Sequence, residues 1–132
     1  MSVGMRGAWA AEAFVARVLR DRRWFVVPLA PSFSCDLLAV RSYGTGRALY
    51  WVEVKSAKTK ARLRSNHPSP EERAFLDGRK MIGDETEVVW VLRLPHGKFE
   101  MFWGTPPPVV RRGRKTGEKE RDFSGGRRSA RT

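Results

Sequence analysis

Cysteine is all but missing from this chain. Cys35 is the single one in 132 residues, so no intramolecular disulfide can form, and the clustered Cys/His spacing of a zinc site is absent because His67 and His96 stand alone. Long apolar runs are missing too. Nothing approaches the roughly 20 apolar residues of a membrane-spanning helix, and the opening Met1-Ser2-Val3-Gly4-Met5-Arg6 lacks the hydrophobic segment of a signal peptide. A cytoplasmic, intracellular protein that engages no membrane is expected. Acid is scarce as well: 14 Asp and Glu face 26 Lys and Arg, a formal charge of +12. Such an excess on a small protein points to a polyanionic partner. No segment beyond the first helix joins basic residues to an amphipathic apolar face, which favours nucleic acid over an anionic membrane surface.

What is present is a globular composition, 41% hydrophobic, 11% aromatic and 30% charged, at a length that suits one domain with its own core. A folded domain is expected over residues 1–105. Pro106-Pro107-Pro108 then opens a basic tail, 106–132, poor in apolar residues and expected to be disordered. From Val109 onward it holds nine basic and three acidic residues, half of the chain's excess charge.

Ala11, Phe14, Val15, Val18 and Leu19 recur at helical spacing, which predicts an amphipathic helix over about Gly7 to Asp21. Trp24-Phe25-Val26-Val27 reads as a strand stopped by Pro28. A second strand spans about Cys35 to Arg41 and a third Ala48 to Val54, with Ser42-Tyr43-Gly44-Thr45-Gly46 between them as a hairpin turn. Lys58, Lys60, Arg62 and Arg64 fall on alternate positions, as in an exposed loop or strand extension. Ser69-Pro70-Glu71-Glu72 has the form of a capping box with proline at the first helical position and predicts a helix from Pro70 to about Ile82, ended by Gly83. Strands over Glu87 to Leu94 and Lys98 to Trp103 flank Pro95-His96-Gly97. The fold class is α/β: a single mixed sheet of about five strands with flanking helices, in the order helix, three strands, helix, two strands. Trp90, Phe99, Phe102 and Trp103 belong to a core or a subunit interface.

Within the third strand, Trp51-Val52-Glu53-Val54-Lys55 places two ionisable residues two apart in an apolar segment, and period-two alternation turns both to one face. Burial of such a pair is costly unless the two pair with each other or bind a metal. The hairpin brings Asp36, at the head of Asp36-Leu37-Leu38-Ala39-Val40, alongside Glu53. An E-x-K on a strand most often marks a solvated face. With Asp36 across the hairpin and a basic surface around it, the set suits phosphodiester hydrolysis: hard oxygen ligands select Mg²⁺ or Mn²⁺, and a lysine beside the ion orients or deprotonates the attacking water or offsets phosphate charge. Arg6, Lys58, Lys60, Arg62 and Arg64 flank the site and are candidates to position DNA phosphates. Cys35 has no histidine nearby in sequence and reads as a packed thiol without a catalytic role.

Asp36 followed by Glu53-x-Lys55 resembles the PD-(D/E)xK nuclease superfamily. Arg6-Gly7-Ala8 with Glu12, the Trp24-Phe25-Val26-Val27 strand, the serine-bearing loop Pro31-Ser32-Phe33-Ser34-Cys35, and Val52-Glu53-Val54-Lys55-Ser56 together resemble the archaeal-type Holliday junction resolvases over about half the chain. Ala13 departs from that pattern, standing where those proteins carry arginine. The resemblance implies a restriction-endonuclease-like core, a metal site of Glu12, Asp36 and Glu53, and Ser32 near the scissile phosphate. It also implies a homodimer that makes paired nicks in four-way DNA junctions. The alternatives are another nuclease of that superfamily acting on flaps, nicks or duplex DNA, and a noncatalytic nucleic-acid-binding module. RNA as substrate lacks an aromatic recognition motif in support.

Overall fold

The computed structural model describes residues 3–108 and 129–131. The first helix, α1 (Val3–Asp21), is followed by strands β1 (Phe25–Pro28), β2 (Leu37–Tyr43) and β3 (Gly46–Ala57). Helices α2 (Lys60–Ser65) and α3 (Pro70–Met81) precede β4 (Glu85–Leu94), β5 (Lys98–Trp103) and the short β6 (Ser129–Arg131). The strands form one sheet in sequential order, antiparallel except for the central β3–β4 pair, which is parallel. A parallel pair needs a long crossover, and here α2 and α3 supply it. No helix among the described residues is long and apolar enough to cross a membrane.

The sheet has a helical layer on each face. On one face α1 buries Phe14, Val15 and Val18 against Leu37, Val52, Val54, Val89, Val91 and Met101. On the other, Leu63 of α2 and Leu76 of α3 close over Trp51, Trp90, Leu92 and Phe102. Each fully buried aliphatic side chain of this kind contributes about 1.5–3 kcal/mol. The alternation along β3 decides where chemistry can sit. Val52 and Val54 face α1, whereas Trp51 and Ala57 face α2 and α3, so Glu53 and Lys55, two apart, share the second face. Trp51 fixes α3 to β3: its indole N–H donates to Asp84 at 2.8 Å, and Phe75 meets its ring edge-on at 5.5 Å.

Three expectations change. The basic stretch after Lys55 is no loop or strand extension: Thr59 caps a short helix, its hydroxyl accepting from the Arg62 amide at 3.2 Å, and residues 60–65 form α2. Alternate positions on a helix point in widely different directions, so its basic residues do not share one face as a strand would place them. The β2–β3 turn is tighter than the five-residue segment suggests, since Tyr43 pairs with Gly46 and only Gly44 and Thr45 lie between, Gly44 with φ of 57°. In the tail, residues 109–128 lie outside the described ones, but Ser129–Arg131 form a strand on β5, where disorder is expected.

Candidate active site

Strand β3 outlasts its partner. Pairing with β2 ends at Leu37↔Val52, whereas pairing with β4 continues to Ala57↔Leu92. Beyond Val52 the β2-facing edge of β3 therefore carries backbone groups that need other partners. The first is the Val54 amide, and Asp36 supplies the acceptor: its Oδ2 takes that N–H at 2.7 Å. The Asp36 amide in turn donates to the Val52 carbonyl at 3.3 Å. Two backbone-linked bonds thus hold the Asp36 carboxylate over the open edge of β3, beside Glu53.

Glu53 is 2% exposed, and its Oε1 has no hydrogen-bond partner among the described residues. Its Oε2 lies 3.2 Å from the Lys55 ammonium. Burial, reinforced by the charges of Asp36 and Glu72, pushes the Glu53 carboxyl up to about 9. Burial raises Asp36 as well, against the Val54 amide bond that pulls it down. Glu12, on α1 and half-buried, lies within hydrogen-bonding reach of Asp36, and burial followed by the Asp36 charge lifts it to about 7. The three carboxyls form a chain with Asp36 in the middle, each raised by burial. Crowding of like charge in a desolvated place is costly for structure alone and suits a cation.

Lys55 behaves oppositely. Burial pulls its pKa down, but hydrogen bonds and charge from Glu72 and Glu53 outweigh burial, and the net shift is upward. It stands as an ammonium at neutral pH, a donor rather than a base. Glu72 is the residue that sequence reasoning missed in this role. It is the third residue of α3 and closes the capping box: its amide donates to Ser69 Oγ at 3.1 Å, and its Oε1 accepts from the Ser69 amide at 2.7 Å. The same Oε1 accepts from Lys55 Nζ at 2.8 Å. Burial raises Glu72, but the bonds from Lys55 and Ser69 prevail and its pKa is lowered. The signal was in view, for Ser69-x-x-Glu72 marks the helix start, but nothing in it points across to β3.

The other expected residues are placed less centrally. Ser32 is exposed in the turn closed by the Phe33 amide on the Ala30 carbonyl, and none of the hydrogen bonds that position Asp36, Glu53 or Lys55 involves it. Lys58, Lys60, Arg62 and Arg64 are exposed on and before α2, and Arg64 Nη1 donates to the Pro107 carbonyl at 3.3 Å. The Arg6 side chain lies outside the described ones. Cys35 is buried, its thiol 3.2 Å from the Val52 carbonyl, and burial together with the Glu53 charge pushes it up to about 12, which leaves it inert.

A hard divalent cation fits this donor set: carboxylate oxygens, one of them buried with no partner among the described residues, on groups that burial makes harder to ionise. Among the described residues no three His, Cys, Asp or Glu side chains are grouped as a ready-made cage. Asp36 and Glu53 together match the habit of Mg²⁺, which takes one or two carboxylates and keeps water in its remaining positions.

No protein-family model matches the chain, and no curated protein is similar to it. Among solved structures it is similar to Hjc, a Holliday junction resolvase from the archaeal hyperthermophile Archaeoglobus fulgidus, determined at 1.6 Å. The identity is 22%, 80% of each chain is covered, and the TM-score is 0.46.

Proposed function

We propose that the chain is a Mg²⁺-dependent DNA endonuclease that cuts four-way junctions as a homodimer. The observation that carries the hydrolytic reading is the Asp36–Glu53–Lys55 set on the open edge of β3, where one Glu53 oxygen lies beside the Lys55 ammonium and the other is buried with no partner among the described residues. Mg²⁺ at such a site supplies Lewis-acid polarisation of the phosphate and a more acidic water, and Mn²⁺ meets the same ligand requirements. Asp36 and Glu53 are the residues that would hold it, with Glu12 against Asp36 as a third acid within reach. Lys55, kept charged by Glu72, donates to a phosphate oxygen and offsets the charge that builds there during attack. The +12 charge provides attraction for the DNA backbone.

The choice of a branched substrate rests on the motif resemblance from Arg6 to Lys58, and paired nicks on opposing strands suit two sites related by a dyad. Incubation of the full chain with a synthetic four-way junction and Mg²⁺ tests it, with Glu53→Ala as control. Symmetric paired nicks by the wild type alone are expected. Cleavage of flaps, nicks or linear duplex in preference to the junction assigns another nuclease specificity, and binding without cleavage in either Mg²⁺ or Mn²⁺ leaves a binding module.

A further inference from the structure

Past Lys55 the edge of β3 opens into a second concavity. A cleft of about 800 Å³ lies between the end of β3, α2 and the end of β4. Lys58, Arg62 and Arg93 line it together with Ser56, Thr59 and Asn66, and among the described residues no carboxylate does. Asn66, at the end of α2, donates its side-chain amide to the Ser56 carbonyl at 3.2 Å, so the rim of the cleft is tied to the same exposed edge that Asp36 caps further back.

Arg93 is the singular member. It lies on the α1 face of β4, two residues beyond Val91, and its guanidinium crosses Gly7 of α1 so closely that a Cβ there would overlap it. Its Nε is buried with no hydrogen-bond partner among the described residues. An ordinary solvated arginine keeps water on every donor; this one lies against a helix, and its Nε lacks an acceptor among the described residues. The Nε is closed off from solvent, so an anion in the cleft meets the remainder of the guanidinium, with which Arg93 lines it. Guanidinium, ammonium and hydroxyl donors around an acid-free cleft are the chemistry that receives a phosphate.

We propose that this cleft seats a second backbone phosphate of the nucleic acid, with Arg93 as its anchor and Lys58 and Arg62 at its mouth. Ser56 stands three residues beyond Glu53, about 10 Å along the strand, so the seat lies further along the same open edge of β3. Its place beside the cut phosphate rests on the nuclease reading; the seat itself rests on the cleft. Gly7 acts here through the absence of its side chain, which leaves room for the arginine.

Binding of the full-length protein to a fluorescent four-way junction is measured in EDTA across a salt series, for wild type, Arg93→Ala, Arg93→Lys and Gly7→Ala, with a thermal melt of each. Arg93→Ala is expected to weaken binding about tenfold at low salt and to reduce the slope of log K against log salt by about 1, the loss of one phosphate contact. Arg93→Lys recovers part of it. Gly7→Ala, which keeps the charge but displaces it, weakens binding by a smaller factor and adds nothing in the Arg93→Ala background. Junctions with a single neutral methylphosphonate next to the cut site lose affinity for the wild type and not for Arg93→Ala. Unchanged affinity and slope in folded Arg93→Ala and Arg93→Lys overturn the seat. Cleavage in Mg²⁺ with an unchanged slope removes the seat and spares the nuclease; an altered slope in a chain that never cuts does the reverse.

Discussion

The Asp36 carboxylate accepts the Val54 amide at 2.7 Å, at the point where β2 parts from β3. A side chain thereby occupies the position of a missing strand, and the acid it carries is fixed by a backbone donor. Asp36→Asn keeps a carbonyl oxygen for that bond and removes the charge. Cleavage is expected to fall by about 10²-fold or more, while the melting temperature of the metal-free protein holds or rises. A melt lowered by several degrees with activity retained would assign Asp36 a purely structural role.

Glu53 gives a sharper form of the same contrast. Glu53→Gln removes a buried carboxyl that is 2% exposed and carries an unsatisfied oxygen. Cleavage is expected to vanish, and at pH 8 to 9 the metal-free variant is expected to be more stable than the wild type, because a glutamine stays buried without a proton to lose as pH rises. Urea titration in EDTA measures this. A variant less stable than wild type under those conditions counts against the electrostatic crowding described here.

The pH dependence of stability has a definite sign. Glu12 at about 7 and Glu53 at about 9 both stand above their usual 4.5, so the folded chain keeps protons that the unfolded chain releases. Their contribution is complete below about pH 4.5 and is lost as pH rises, first through about 7 and then through about 9. The metal-free melting temperature is expected to fall across that window, by about 4 °C for each kcal/mol lost. Added Mg²⁺ is expected to oppose the fall most strongly at the alkaline end, because binding to the carboxylates releases their protons. A flat profile in EDTA would contradict the shifts.

Glu72 separates charge from capping. Glu72→Gln retains an acceptor for the Ser69 amide but not the negative charge beside Lys55; Glu72→Ala loses both. The alanine variant is expected to be about 1 kcal/mol less stable through the lost cap, the glutamine variant nearly unchanged. Both are expected to cut more slowly and to move the alkaline limb of the pH–rate profile downward, as the lysine loses its proton more easily. An unmoved profile in Glu72→Gln would leave Glu72 a helix cap alone.

Cys35 is a test of inertness. With its thiol pushed up to about 12 and bonded to the Val52 carbonyl, alkylation at pH 8 is expected to be negligible in the native protein and complete in denaturant, and Cys35→Ala is expected to cut at about the wild-type rate. Rapid native labelling would show that the loop before β2 opens.

Legibility in the sequence followed the range of the interactions. Period-two alternation was enough to place Glu53 and Lys55 on one face, and the capping box marked the start of α3, because both patterns are local. The helix α2 was not legible: Lys60-Ala61-Arg62-Leu63-Arg64 is too short for periodicity, and its one buried residue, Leu63, speaks only once Trp90 and Leu76 surround it. Glu72 and Arg93 escaped for the same reason. Lys55 meets Glu72 across the crossover, and Arg93 meets Gly7 between elements at opposite ends of the chain. Such pairings depend on the parallel register of β3 and β4, which no local pattern encodes.

The two-residue tip at Gly44 and Thr45 has a practical use. From Gly46 to Glu53 is seven residues of extended chain, about 23 Å, so the tip is as far from the carboxyls as β3 permits. A short reporter or affinity peptide inserted between Gly44 and Thr45 sits on an exposed turn that carries neither core nor site, and it offers a handle for single-molecule tethering that leaves both ends of the chain free.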